Sequence, residues 1–262
     1  MKGAELSAIN FTAHNVRLDN GEQTKPEIGY EMSEYPWFVS ARKVLSLIFP
    51  SDKSPYSVLD LGCLEGGYTV EFARMGFRAL GIEVRESNFA ACRYVKERVA
   101  LPNLSFARDD VWNAEKYGSF DAVFCCGLLY HLEQPRAFLK LLSRIAKRVL
   151  IVQTHFATGN VSNKFALSKL TESEGAAGQW YTEYAKPPDD ATREAGKWSA
   201  WSNTKSFWLT RPWILQSIYD AGFDVVFEQF DSLAPSIAAA MTSGYYYTDD
   251  RGTFVGVRTE AT

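Results

Sequence analysis

Long apolar runs are missing from this chain. No stretch approaches the ~20 residues that a bilayer-spanning helix needs, and the N-terminus shows no signal-peptide pattern. Cysteine is scarce too. Cys63, Cys92, Cys125 and Cys126 have no metal-ligand spacing, and the adjacent pair sits in an apolar run, so reduced thiols in a cytoplasmic protein are expected. Histidine is scarcer still. His14, His131 and His155 are too scattered to assign a metal site, and none is expected. A surplus of positive charge is also absent: 28 Lys and Arg face 31 Asp and Glu, for a net charge of −3. That balance argues against a duplex or tRNA substrate, whose phosphates call for a basic surface. No internal repeat or low-complexity tract interrupts the chain.

What is present is apolar and aromatic mass. The 262 residues are 46% apolar and 14% aromatic, enough for one large α/β domain or a domain with a sizeable insertion. Residues 1–30 are polar and irregular. A helical pattern runs from Ser33 to Phe49, with Trp37, Val44, Leu45 and Ile48 available for burial. Strands are then expected at 57–61, 78–83, 104–108, 120–126 and 148–154, separated by helices at 67–75, 86–100 and 135–147. Pro135 suits a helix first turn, where its missing N–H costs nothing. Strands spaced by helices imply a parallel sheet with right-handed crossovers. The alternation stops near His155. A helix over 211–221 follows, with Thr210 as N-cap and Gly222 as its stop. Strands at 224–230 and 253–258 close the chain. Between them, 231–252 carries Tyr245-Tyr246-Tyr247 and a turn at Asp250-Arg251-Gly252.

The most informative stretch is 58–67, Val-Leu-Asp-Leu-Gly-Cys-Leu-Glu-Gly-Gly. An apolar strand ends in Asp60, turns at Gly62, passes Gly66 and Gly67, and a helix begins. Glycines let backbone approach a ligand closely. Glu83 ends the next apolar run, where a carboxylate can accept both hydroxyls of a ribose. An ordinary strand-to-helix turn is the plain alternative, but Glu83 and Asp110 follow in order, and a nucleoside pocket is favoured. A nicotinamide oxidoreductase would need Gly-x-Gly-x-x-Gly, a spacing that 62–67 does not supply.

With these motifs, residues 57–154 resemble the class I S-adenosylmethionine-dependent methyltransferases. Asp60-Leu61-Gly62 resembles their first motif and Glu83 the ribose-binding acid of the second. Arg108-Asp109-Asp110-Val111 resembles the adenine-contacting segment, and Phe120 through Cys125, Cys126 and Gly127 to Tyr130-His131-Leu132 the fourth motif. The resemblance implies a Rossmann-like α/β fold: a seven-stranded, mostly parallel sheet with helices on both faces and an antiparallel last strand. It implies S-adenosyl-L-methionine as cofactor. The cofactor-binding set would be Asp60, Gly62, Cys63, Gly66, Glu83, Asp110, Val111, Cys126 and Gly127. Asp60 would meet the methionine ammonium or hold the loop. The family loop carries a middle glycine where this chain has Leu64; Gly66-Gly67 can still supply the close approach. The organisation expected is an N-terminal helical segment, 1–56, covering the cofactor site, and a methyltransferase domain, 57–262, with an aromatic-rich inserted cap at 157–210.

If the acceptor is a hydroxyl, a base is useful, and His155 and His131 are the candidates, since histidine ordinarily titrates near neutrality. His155 follows a buried strand whose C-terminal end should open on the ligand crevice. His131 can equally cap a turn, and Tyr130 can equally pack in the core. Trp180, Trp198, Trp201, Trp208 and Trp213 crowd into 180–213. Most are expected to hold the cap together as a small core, with Trp198 and Trp201, flanked by Ser and Ala, lining an acceptor pocket. Across 157–210, Lys164, Lys169, Lys186, Arg193, Lys197 and Lys205 oppose Glu172, Glu174, Glu183, Asp189, Asp190 and Glu194, which is not a nucleic-acid surface. The expected activity is methyl transfer to oxygen or nitrogen of a small organic acceptor. The alternative is an RNA-modifying enzyme on the same fold, since Tyr130-His131-Leu132 and Ser206–Thr210 also resemble the wobble-uridine tRNA modification family. A binding module without turnover is the third reading.

Overall fold

The computed structural model describes residues 9–159, 165–230, 237–242 and 250–260. Lys164 and Tyr245-Tyr246-Tyr247 lie outside the described residues. The chain divides into two compact units: residues 1–116 with 120–124, and residues 117–119 with 125–262.

The first unit opens with an irregular segment, then α1 (Pro36–Ile48), β1 (Ser57–Leu61), α2 (Gly67–Arg74), β2 (Arg78–Glu83), α3 (Glu86–Lys96), β3 (Leu104–Arg108) and most of β4 (Phe120–Cys126). Every residue of β1 is buried. Such an unbroken run belongs to a strand covered on both faces. In α1 the stripe Phe38, Ala41, Val44 and Leu45 is buried at helical spacing. Phe38, rather than the expected Trp37, enters the core, 5.6 Å from the Phe72 ring of α2. Trp37 is one position off the stripe and stays part-exposed.

The second unit holds α4 (Pro135–Ile145), β5 (Ala146–His155), β6 (Thr171–Ser173), β7 (Ala176–Thr182), α5 (Asp190–Ala195), β8 (Lys205–Leu209), α6 (Arg211–Asp220), β9 (Val225–Gln229), α7 (Ile237–Thr242) and β10 (Arg251–Val257). The chain passes from α4 into β5 with no loop, so the strand starts two residues earlier than expected. Thr210 stands at the N-cap of α6, but its side chain makes no capping bond, while Gly222 (φ 88°) ends the helix as expected. Asp250-Arg251-Gly252 is not a free turn: Arg251 already pairs with His155 across the β10–β5 ladder.

The main sheet has seven strands in the order β3-β2-β1-β4-β5-β10-β9. β1, β2 and β3 pair in parallel, whereas β10 runs antiparallel to both its neighbours. The expected fold class, Rossmann-like with a C-terminal antiparallel hairpin, is what forms. The region expected as an aromatic-rich cap, where the sequence predicts no strand, builds a second antiparallel sheet, β6-β7-β8. Glu174 (φ 53°) and Gly175 (φ 71°) make a two-residue hairpin turn with both centres left-handed, the geometry that matches strand twist. Glu174 is held there because its carboxylate accepts from the amides of Arg136 (3.0 Å) and Ala137 (2.8 Å) at the N-terminus of α4. Among the described residues no helix is long and apolar enough to cross a membrane.

Candidate active site

In the first unit the loop after β1 is built around buried carboxylates. Asp60 is 1% exposed and its Oδ2 accepts from the Thr69 hydroxyl at 2.6 Å. Burial pushes its pKa up to about 7; the Thr69 bond opposes this and the Glu83 charge adds to it. Glu83, 3% exposed, accepts from the Leu64 amide through Oε2 (3.0 Å) and from the Arg85 amide through Oε1 (2.8 Å). Burial raises its pKa as well, against those amides and the Arg85 charge.

Leu64, at the position of the family's middle glycine, has φ 53°. The chain thus keeps the glycine conformation without the glycine. At Gly66 and Gly67 the missing Cβ makes room for neighbouring side chains. A Cβ on Gly66 would lie 2.6 Å from the Phe106 ring, and one on Gly67 would lie 2.7 Å from Met32 and 2.9 Å from His14. Their smallness is spent on protein packing. Cys63 is also turned inward, its sulfur 3.9 Å from that of Cys92, and burial pushes its thiol pKa up.

Sequence reasoning missed a strap of N-terminal backbone across this loop. Glu65, fully buried, accepts from the amides of Thr12, Ala13 and His14 and from the Thr12 hydroxyl. His14 Nδ1 accepts in turn from the Gly67 amide at 2.9 Å, at the start of α2. Burial lowers the His14 pKa to about 4, opposed by the Glu65 charge, so the ring is neutral and able to accept. The sequence signal was one acid inside the glycine loop, and its partners lie more than fifty residues away.

After β3, Asp109 is committed to the protein. It accepts from the Asp110 amide and Asn113, and pairs with Lys116. Asp110 caps the Trp112 amide with Oδ1 (2.9 Å), and Val111 is buried.

In the second unit, Tyr130, His131 and His155 come together. Tyr130 lies 4.3 Å from the His131 ring and 4.8 Å from the His155 ring. Each imidazole faces a carboxylate. His131 Nδ1 is 2.9 Å from Glu183 Oε1, and Glu183 also accepts from the Ser206 hydroxyl and the Ala200 amide. His155 Nδ1 is 3.0 Å from Asp250 Oδ1 and 3.2 Å from the Asp250 carbonyl. Trp208 stacks on His155 at 5.1 Å and 17°, and Phe165 meets it edge-on at 5.1 Å. Burial raises the Tyr130 pKa, with the Arg251 charge pulling the other way. Gln153 ties the floor together: its Oε1 accepts from Arg251 at 2.9 Å and lies 3.6 Å from the Cys126 sulfur, and its carbonyl accepts from the Gly127 amide.

Trp208, not Trp198 or Trp201, supplies the indole of this cluster. Trp198 is 64% exposed, and Trp201 lies under the Arg193 guanidinium. Position explains it: Trp208 sits within β8, whereas Trp198 and Trp201 fall in turns before it. Asp250, Arg251, Glu183 and Gln153 were also missed, since contacts across 52 to 98 residues leave no local pattern. Among the described residues no group of three or more metal-ligating side chains gathers.

Comparison with known proteins agrees with this picture. Residues 58–149 match the methyltransferase domain family. Pavine N-methyltransferase from Thalictrum flavum subsp. glaucum is 28% identical over 138 residues, 52% of this chain and 37% of the relative. Ubiquinone biosynthesis O-methyltransferase from Acinetobacter baylyi is 28% identical over 92 residues, 34% of this chain and 39% of the relative. This chain thus spans under half the length of these relatives. Among solved structures, the N-terminal domain of EvdMO1 with SAH bound shares the fold with a TM-score of 0.67 at 22% identity, covering 97% of this chain and 94% of that one. The sheet order and the acids near the ends of β1 and β2 accord with that match: residues 58–149 resemble a methyltransferase domain, and the fold is that of the class I S-adenosylmethionine-dependent methyltransferases.

Proposed function

We propose that this protein moves a methyl group from S-adenosylmethionine to an oxygen or nitrogen of a small organic acceptor. The observation that carries the reading is the pair of buried carboxylates at the ends of β1 and β2. Burial raises the cost of ionising both, the Glu83 charge adds to that cost at Asp60, and a cationic ligand bearing a diol is what such a pair suits. Asn88, fully buried beside Glu83, lends its side chain to the same carboxylate and opposes the rise in its pKa.

Bound there, the cofactor supplies an electrophilic methyl on a sulfonium whose departing sulfur is neutral. Glu83 spends one lone pair of each oxygen on backbone amides and keeps others for ribose hydroxyls. Asp60 would take the methionine ammonium. Asp110 keeps Oδ2 for the adenine amino group, and Val111 offers an apolar wall. Gly62, Cys63 and Gly66 shape the loop, and residues 9–35, with α1, form the segment that steadies the donor site. Cys126 and Gly127, at and just after the end of β4, are assigned to the cofactor as well.

Tyr130, His131 and His155 are assigned to the acceptor. Holding the acceptor on axis is the main task, worth about 7–11 kcal/mol of barrier when fully realised. Relatives acting on small molecules by name, and the balanced charge of the cap, support a small acceptor over RNA. Four free thiols support a cytoplasmic setting.

Calorimetry tests the assignment. S-adenosylhomocysteine should bind, and Glu83→Gln should weaken it tenfold or more, the cost of a charge-assisted hydrogen bond of about 1.5–3 kcal/mol. An unchanged affinity in that variant removes the ribose role.

A further inference from the structure

Resting on the assignment of Glu83 to the donor, we infer that Glu65 is a positioning residue for S-adenosylmethionine. By gripping residues 12–14 it holds Leu64 in the left-handed turn from which the Leu64 amide sets Glu83. The N-terminal strap thereby does for this loop what a middle glycine would do.

The strap reaches Glu83 through consecutive residues. Glu65 Oε1 accepts from the Thr12 hydroxyl at 2.7 Å and from the Thr12 amide, and Oε2 accepts from the amides of Ala13 (3.1 Å) and His14 (2.9 Å). Burial pushes the Glu65 pKa up, but His14 and Thr12 outweigh this and hold it below the ordinary value, so the group is a charged acceptor. The four bonds fill the roughly four lone-pair sites of a carboxylate, and the fully buried side chain has nothing left for a ligand. It acts through its neighbour. The Leu64 amide donates to Glu83 Oε2 at 3.0 Å, and the Leu64 carbonyl accepts from the Cys92 thiol at 3.2 Å. Beyond Glu65, the Gly67 amide donates to His14 Nδ1 at 2.9 Å, and Met32 and His14 occupy the place of a Gly67 Cβ. The strap thus fastens the loop on both sides of Gly66, whose own φ is 80°.

The loop needs this hold because of the side chain at position 64. Leu64 has φ 53°. Glycine enters that region freely, whereas a residue with a Cβ is strained there and stays only when its surroundings over-determine it. The strain corresponds to a factor of about 5–30 in favour of a relaxed turn. In a relaxed turn the Leu64 N–H leaves Glu83, and the carboxylate loses one of the two amides that aim it. The donor must then wait for the left-handed turn to return, and apparent affinity falls with the fraction of loops in that state. Glu65 blocks the relaxation. It cannot follow Leu64 into another conformation without withdrawing its carboxylate from three backbone amides of the strap.

A mutant cycle read by calorimetry with S-adenosylhomocysteine tests this. Glu65→Gln keeps the shape but replaces one acceptor oxygen by an NH2 group facing strap amides, and should weaken binding about 5–30-fold. In the Leu64→Gly background the same change should cost little, because glycine holds the turn unaided. Thr12→Val removes the hydroxyl bond alone. It should follow the same pattern with a smaller loss, and it carries the test where Glu65→Gln does not fold. A general loosening of the fold would not be repaired by Leu64→Gly. Equal losses of affinity in the two backgrounds, or no loss in either, therefore overturn the inference and leave the donor site standing. Wild-type protein that does not bind S-adenosylhomocysteine overturns the donor reading of Glu83 itself, and this inference with it.

Discussion

At the scale of single residues, Leu64 shows how a motif survives the loss of its signature. An L-residue in the left-handed region costs about 1–2 kcal/mol, yet Leu64 holds φ 53°. Its amide donates to Glu83 at 3.0 Å, and its carbonyl accepts from the Cys92 thiol at 3.2 Å, so the surrounding bonds impose the turn. If the backbone conformation dominates here, Leu64→Gly relieves strain and should leave stability unchanged or raise it by up to about 1 kcal/mol. Leu64→Val, with its branch at Cβ, should lower it by about 1–2 kcal/mol. Urea denaturation of the two variants decides the matter. A loss of more than about 1 kcal/mol in Leu64→Gly would mean that the side chain's packing, rather than the backbone, governs this position.

At the scale of elements, the N-terminal strap and the start of α2 behave as one device. Glu65 replaces several water contacts for backbone amides that would otherwise be buried unsatisfied, and His14 caps the first amide of the helix. The cap works only while His14 is neutral. Its pKa falls from 6.5 unfolded to about 4 folded, so below pH 6.5 the unfolded chain binds a proton that the folded chain refuses. Stability from this group is therefore full above about pH 6.5 and is lost as pH falls towards 4, by up to about 3 kcal/mol. Asp60 acts in the opposite sense. Its pKa rises from 3.8 to about 7, so its contribution is present at low pH and lost as pH climbs through that range. The two nearly offset each other in the wild type, and a variant is needed to separate them. The stability advantage of wild type over His14→Gln should be largest at pH 7 and shrink steadily by pH 4. An advantage that does not vary with pH would mean that His14 is not a buried neutral cap.

At the scale of the whole molecule, a donor that binds only the folded chain should stabilise it by mass action. At a hundredfold excess over Kd the gain is about 2.7 kcal/mol, or about 5–10 °C in Tm for a chain of this size. A thermal-shift measurement should show that rise with S-adenosylhomocysteine and none with NAD. The reverse result would return the glycine loop to dinucleotide binding.

Much of this was legible in advance because it is local. The boundaries of β1 to β4, the Pro135 start of α4 and the Gly222 stop of α6 follow from periodicity, caps and breakers within a few residues. Glu83 and Asp110 stand out in the sequence because a strand end fixes where a carboxylate can stand. The cap's second sheet escaped because β6 is three residues long and its turn places a glutamate, not a glycine or asparagine, at the first left-handed centre. By itself, the sequence determined the alternation of strands and helices, and with it the order of acids along the donor loop, because those depend on neighbours along the chain. Only the tertiary structure decided that Glu65 and His14 fasten the loop, that Trp208 rather than Trp198 stacks on His155, and that Asp250 faces its Nδ1. Those contacts join residues some fifty to a hundred positions apart, and the desolvation that gives them their chemistry exists only once the chain has packed around them.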